Sequence, residues 1–288
     1  MTFIDKLTTA VERNNSLVCV GLDSEFAKIP ECMKNGRGGE SDFSSRQRSE
    51  VVFEFNRAII DATKDHVCAY KPNSAFYESL GGRGLEILKQ TIAYTKETAA
   101  DVPVILDAKR ADIGSTNNAY VEFAFSYLGA DAITVHPYLG REAVKPFLDQ
   151  KDKGIIILCR TSNPGAGEFQ DRKDSTGEEL YKRVARQVAN EWNANDNCGL
   201  VVGATYPEEL KAVRSLVGDM PILVPGIGAQ GGDVEKTVKA GLNRKMRGII
   251  VNSSRGIIFA SSREDFADAA KREAIKLKEE INKYRLIG

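Results

Sequence analysis

The 288-residue sequence is short of the residues that build metal and redox centres. Its two histidines, His66 and His136, and its five cysteines form no CxxC pair, so no zinc site is expected. The cysteines are odd in number and irregularly spaced. Cys19, Cys68 and Cys159 each lie inside an apolar run and read as small core residues rather than bridges, as in a reducing cytoplasm. No apolar stretch approaches the roughly 20 residues needed to span a bilayer. The start, MTFIDKLTTAVERNNS, lacks the charged-then-apolar layout of a signal peptide. An excess of one charge is also missing: 40 Lys+Arg stand against 40 Asp+Glu, which gives no whole-chain attraction to nucleic acid or an anionic membrane. Low-complexity segments and short-period repeats are absent. So is a GxGxxG turn after the first apolar run, where GLDSEF stands instead, and this argues against a dinucleotide-binding doubly wound sheet.

What the sequence does have is a series of short apolar runs, each able to form a strand buried on both faces. They are LVCVGLD (17–23), VCAYKPN (67–73), VPVILDAK (102–109), DAITVHP (131–137), GIIILCR (154–160), GLVVGAT (199–205), PILVPG (221–226) and GIIVNSS (248–254). Between them the spacing predicts helices over 45–65, 85–100, 117–129, 175–192 and 207–217. Strand alternating with helix implies parallel pairing through right-handed crossovers. Eight such units in a chain of this length point to a single (β/α)8 barrel of parallel strands occupying residues 1–288 as one domain. The polar stretch EFAKIPECMKNGRGGESDFSS (25–45) is expected to be an excursion from that barrel.

In a barrel of this kind the active site forms at the C-terminal ends of the strands. The polar residues that interrupt the runs fall mostly there: Asp23, Lys71 with Asn73, Asp107 with Lys109, Ser162, Gln230 and Arg255. A lone charge ending a strand is usually just solvated; several strands ending in complementary charges are harder to explain that way. Asp107 and Lys109 are two apart, so strand periodicity sends both to one face, and Lys71 on a neighbouring strand can reach the same space. Asp112 lies past the strand end and need not point inward. Carboxylates and ammonium groups so arranged hold one another ionised, which suits proton transfer or carbanion stabilisation. The glycine-rich PGIGAQGGD (225–233) and NSSRG (252–256) follow the seventh and eighth runs, the usual phosphate site of this fold, with Gln230 and Arg255 placed to grip an anion. RTSNPGAGEF (160–169) is an ordinary turn or a mobile cover whose hydroxyl or amide reads a polar ring.

Over nearly the whole barrel the chain resembles the orotidine 5′-phosphate decarboxylase family. The core of the likeness is D-x-K-x-x-D, here Asp107-Ala-Lys109-Arg-Ala-Asp112, followed by Ile113 and Thr116. Around it stand GLD (21–23), KPNSAFYE (71–78), SNPGA (162–166) and PGIGAQGG (225–232). The 25–45 insertion and KPNSAFYE are similar to the longer subgroup. The resemblance implies conversion of orotidine 5′-monophosphate to uridine 5′-monophosphate and CO2, in pyrimidine biosynthesis, without cofactor or metal. It implies that Asp23 and Lys71 hold the ribose hydroxyls, that Asp107 lies against the substrate carboxylate, and that Lys109 delivers a proton to C6. Ser162 and Asn73 would meet the pyrimidine, and Gln230 and Arg255 the phosphate, although shorter members place the arginine sooner after the last strand than NSSRG does. Asp112 and Thr116 would reach into the partner's site in a homodimer. Two alternatives stand beside this reading: a magnesium-dependent sugar-phosphate aldolase or synthase of the same barrel type, and a non-catalytic binder of a phosphorylated ligand.

Overall fold

A computed structural model describes residues 1–34, 43–227 and 233–285. Each of the eight apolar runs forms a strand: β1 Val18–Leu22, β2 Ala69–Pro72, β3 Ile105–Arg110, β4 Ala132–Val135, β5 Gly154–Arg160, β6 Cys198–Val202, β7 Ile222–Pro225 and β8 Ile249–Ser253. They make one sheet in the order β2-β1-β8-β7-β6-β5-β4-β3. Every pairing is parallel. Parallel bridges from Tyr70 to Val104 and from Asn73 to Asp107 join the two end strands and close the barrel. Such strands are covered on both faces, which explains why they are continuously apolar rather than alternating. Val18, Val20, Ile105, Ile155, Leu200, Ile222 and Val251 are all fully buried. All five cysteines are free, and four of them, including Cys19, Cys68 and Cys159, are buried as the apolar runs suggested.

Helices surround this sheet. Those expected over 45–65, 85–100 and 207–217 run Ser45–Thr63, Gly82–Thr98 and Pro207–Val217. The helix expected over 117–129 begins earlier, at Gly114–Val121, and widens into π-type turns at Glu122–Tyr127. The one expected over 175–192 begins only at Leu180, because Lys173 bridges to Glu179 in an antiparallel pair and holds the intervening residues in a turn. Among the described residues, four further helices of eight residues or more carry weaker sequence signals: Phe3–Asn14, Gly140–Leu148, Val234–Gly241 and Phe266–Arg285. The first starts on a capping box, with the Thr2 hydroxyl accepting from the Asp5 N–H and the Asp5 carboxylate accepting from the Thr2 N–H. It crosses the N-terminal end of the barrel, where Lys6 pairs with Asp131 at 3.0 Å and Phe3 packs on Gly154. No helix among the described residues is long and apolar enough to cross a membrane. The 25–45 stretch contributes short 3-10 turns at Phe26–Lys28 and Glu31–Lys34, and residues 35–42 of it lie outside the described residues.

Candidate active site

The ends of β1, β2 and β3 bring four charged residues together, Asp23, Lys71, Asp107 and Lys109. Lys71, on β2, is 3% exposed, and Asp107, on β3, is 8% exposed. Lys71 Nζ donates to Asp107 Oδ2 at 2.7 Å, and Lys109 Nζ donates to Asp107 Oδ1 at 2.6 Å. Asp23, just past β1, puts its Oδ1 4.0 Å from Lys71 Nζ, an ion pair without a hydrogen bond. Burial opposes the charge on Asp107, but attraction to Lys71 and Lys109 outweighs it and holds the carboxyl well below its usual range. Burial likewise opposes the charge on Lys71, while Asp107 and Asp23 outweigh it and raise its pKa. Asp107 and Lys71 therefore stay ionised together across the neutral range.

The route by which Lys109 reaches Asp107 differs from simple strand alternation. The register of β3 on β4 shifts between Leu106 and Arg110, and Lys109 has φ +47°, in the left-handed region. For a residue with a Cβ that backbone costs about 1–3 kcal/mol and persists only where neighbours enforce it. The enforcing neighbour is Thr134 on β4, which is 1% exposed. Its Oγ1 accepts from the N–H groups of Ala108 (3.1 Å) and Lys109 (3.0 Å) and donates to Asp107 Oδ1 at 2.9 Å. One hydroxyl thus fixes both the bulge that aims Lys109 and the carboxylate that receives it. Sequence reasoning missed Thr134; its only signal was a hydroxyl inside the otherwise apolar AITV.

Asp23, Lys71 and Asp107 line a cavity of about 140 Å³ together with Pro225, Gly226, Ile227, Asn252, Ser254 and Arg255. Arg255 is exposed and opens the short helix Arg255–Ile258 directly after β8, so the charged cluster and the arginine share one cleft. Gly21 makes that approach possible: a Cβ there would lie 1.9 Å from Ser254 Oγ. Gln230 lies outside the described residues. Asn73 sits beside Asp107 in the sheet, and its Oδ1 caps the helix Ser74–Glu78 by accepting from the Ala75 N–H at 3.1 Å. Ser162 stands on the loop after β5, its backbone packed where a Cβ on Gly203 would be 2.8 Å from its Cα. That loop is tied at its base by Arg160, which pairs with Asp171 at 2.7 Å and lies 3.9 Å from the ring centroid of Tyr206.

Asp112 and Thr116 do not line the cavity of their own chain. The Asp112 N–H donates to Oδ1 of the buried Asn117 at 2.7 Å, and Asp112 Oδ1 accepts from the Ile113 N–H at 2.7 Å. Thr116 is exposed in the first turn of the following helix, beside Ile113, which is 60% exposed. A second cavity, of about 600 Å³, lies among Tyr138, Leu158, Phe169, Leu180 and Tyr181. It is larger, but no carboxylate or ammonium group lines it, whereas the smaller cleft holds the buried Lys71–Asp107 ion pair.

Residues 16–270 match the model of the orotidine 5′-phosphate decarboxylase / HUMPS family. The chain is 49% identical over 285 residues to an orotidine 5′-phosphate decarboxylase of Dechloromonas aromatica (strain RCB), covering 99% of this chain and 100% of the relative. It has the same identity and coverage with the enzyme of that name from Cellvibrio japonicus (strain Ueda107). Among solved structures it is similar to the Leishmania donovani OMP decarboxylase, with a TM-score of 0.82, 36% identity and full coverage of both chains.

Proposed function

The chain belongs to the orotidine 5′-phosphate decarboxylase / HUMPS family, and from that membership and its cleft we propose that it is a carboxy-lyase converting orotidine 5′-monophosphate to uridine 5′-monophosphate and CO2 in de novo pyrimidine biosynthesis. The observation that carries this reading is the buried Asp107 carboxylate held between Lys71 and Lys109 at 2.7 and 2.6 Å.

Loss of CO2 from C6 leaves an electron pair in an sp² orbital that the pyrimidine ring does not delocalise. As negative charge moves from the departing carboxylate onto C6, the Lys109 ammonium becomes its nearest cation and then its proton donor. This interaction strengthens toward the transition state, which is the condition for acceleration. The route is cofactor-free: the cation that the developing carbanion needs is supplied by the chain itself. Asp107 lies against the substrate carboxylate, and because Lys71 and Lys109 keep it ionised, it also disfavours the ground state by like-charge proximity. Asp23 and Lys71 take the ribose hydroxyls. Asn73 and Ser162 meet the pyrimidine, and Gln230 and Arg255 take the phosphate, whose binding energy aligns the ring.

The ridge on which Ile113 and Thr116 are exposed, with Asp112 half-buried beside them, supports a homodimer in which Asp112 and Thr116 complete the partner's site. We read residues 1–288 as one barrel domain acting in the cytoplasm, with no nucleic-acid or membrane partner.

The test is the ultraviolet change on adding orotidine 5′-monophosphate to the purified protein, with and without EDTA. Turnover unaffected by EDTA is expected. Turnover abolished by EDTA and restored by magnesium would move the assignment to the sugar-phosphate aldolase or synthase reading. Tight uridine 5′-monophosphate binding without turnover would move it to a silent binder.

A further inference from the structure

Asn252 is the penultimate residue of β8, paired in register with Cys19 of β1, and it lines the charged cleft. It is only 6% exposed, and its Nδ2 donates to Ser254 Oγ at 3.3 Å, but its Oδ1 is buried with no hydrogen-bond partner. Asp23 Oδ1, in the same cleft, is also buried and lacks a hydrogen-bond donor. The nearest ammonium, Lys71, already donates to Asp107 and stands 4.0 Å from Asp23. A buried acceptor left unmade is costly, and native structures keep such groups where a ligand or water completes them. The cleft thus offers two acceptor oxygens in search of donors, between the charged cluster and Arg255.

A vicinal diol supplies that complement: each hydroxyl donates one hydrogen bond and still accepts another. We propose that Asn252 is a substrate-binding residue whose side-chain oxygen accepts a hydrogen bond from one of the ribose hydroxyls of the nucleotide that Asp23 and Lys71 also hold. This rests on the proposed function and deepens it, because it makes the strand that presents Arg255 also a reader of the sugar. The Nδ2 bond to Ser254 holds the carboxamide in place for that contact.

The experiment is titration calorimetry of uridine 5′-monophosphate, 2′-deoxyuridine 5′-monophosphate and 3′-deoxyuridine 5′-monophosphate against the wild type, Asn252→Ala and Asn252→Asp. Asn252→Ala is expected to weaken uridine 5′-monophosphate about tenfold, equivalent to about 1.4 kcal/mol. The same change leaves unaltered the affinity for whichever deoxy analogue lacks the partner hydroxyl. Asn252→Asp keeps an acceptor oxygen and is expected to keep the wild-type ratio between the ribo and deoxy ligands, so it decides the matter even if the alanine variant does not fold. Equal weakening of all three ligands in Asn252→Ala, no weakening at all, or loss of the ratio in Asn252→Asp would each overturn the assignment. A wild type that neither binds uridine 5′-monophosphate nor turns over orotidine 5′-monophosphate would instead refute the proposed function.

Discussion

Replacing Thr134 with valine keeps the shape of a buried side chain and removes one hydroxyl on which three hydrogen bonds converge. The bond to Asp107 Oδ1, at 2.9 Å, goes to an ionised acceptor and is worth about 1.5–3 kcal/mol. The N–H groups of Ala108 and Lys109, at 3.1 and 3.0 Å, lose their acceptor, and a part-buried donor left unpaired costs about 1–3 kcal/mol. These contributions are not additive, since the bulge can relax toward regular strand. A net loss of about 2–5 kcal/mol is expected, which lowers Tm by on the order of 10 °C. Relaxation has a second consequence. Lys109 holds φ +47° only while the bulge is pinned, so its ammonium group moves off the line to Asp107. Misplacement by about 1 Å can cost ~100-fold in rate, so kcat should fall by about 10- to 100-fold with KM little changed. Thr134→Ser restores the hydroxyl and should recover most of both losses. Thermal melts with steady-state kinetics on the three proteins make the test. A Thr134→Val protein with wild-type Tm and kcat would refute the claim that this hydroxyl holds the site.

Three further expectations follow from the same geometry. Asp107 has a folded pKa below its ordinary 3.8, so its contribution to stability is present above that value and lost as pH falls through the folded one. Urea midpoints measured from pH 5 downward should therefore drop more steeply for wild type than for Asp107→Asn; parallel slopes would contradict this. Gly21→Ala sets a Cβ against Ser254 Oγ and should displace the turn before Arg255, raising KM with a stability loss of about 1–3 kcal/mol, read by kinetics and melts. Inactive Lys109→Ala and Asp112→Ala subunits, mixed under conditions of proven exchange, should regain activity because some heterodimers carry one intact site. An absence of recovery would count against the shared site.

How much of this was legible beforehand depended on the physical origin of each feature. The strands were readable because burial on both faces demands unbroken apolar runs bounded by polar residues, as in LVCVGLD and GIIVNSS. The helix Phe266–Arg285 was less so: half of its buried residues, Ala269, Ala270 and Ala274, give little hydrophobic contrast. The helix Phe3–Asn14 had its signal in the capping box at Thr2 and Asp5, not in length or apolarity. Within the site, D-x-K-x-x-D announced the charges, and the structure joins Lys71, Asp107 and Lys109 as expected. The reason given, simple alternation, was incomplete, because the left-handed backbone at Lys109 comes from a tertiary contact with β4 and lysine carries no local cue for it. Asn252 escaped notice for a similar reason: its unpartnered oxygen is a property of the packed cleft, not of the word NSSRG.

The central claim is that Lys109, held on Asp107, supplies the cation and the proton at C6. Its most direct test is kcat for orotidine 5′-monophosphate with Lys109→Ala against wild type, alongside uridine 5′-monophosphate affinity to show that the cleft survives. The account predicts a fall in kcat of many powers of ten with the nucleotide still bound. A Lys109→Ala enzyme that decarboxylates at a rate near wild type would contradict it.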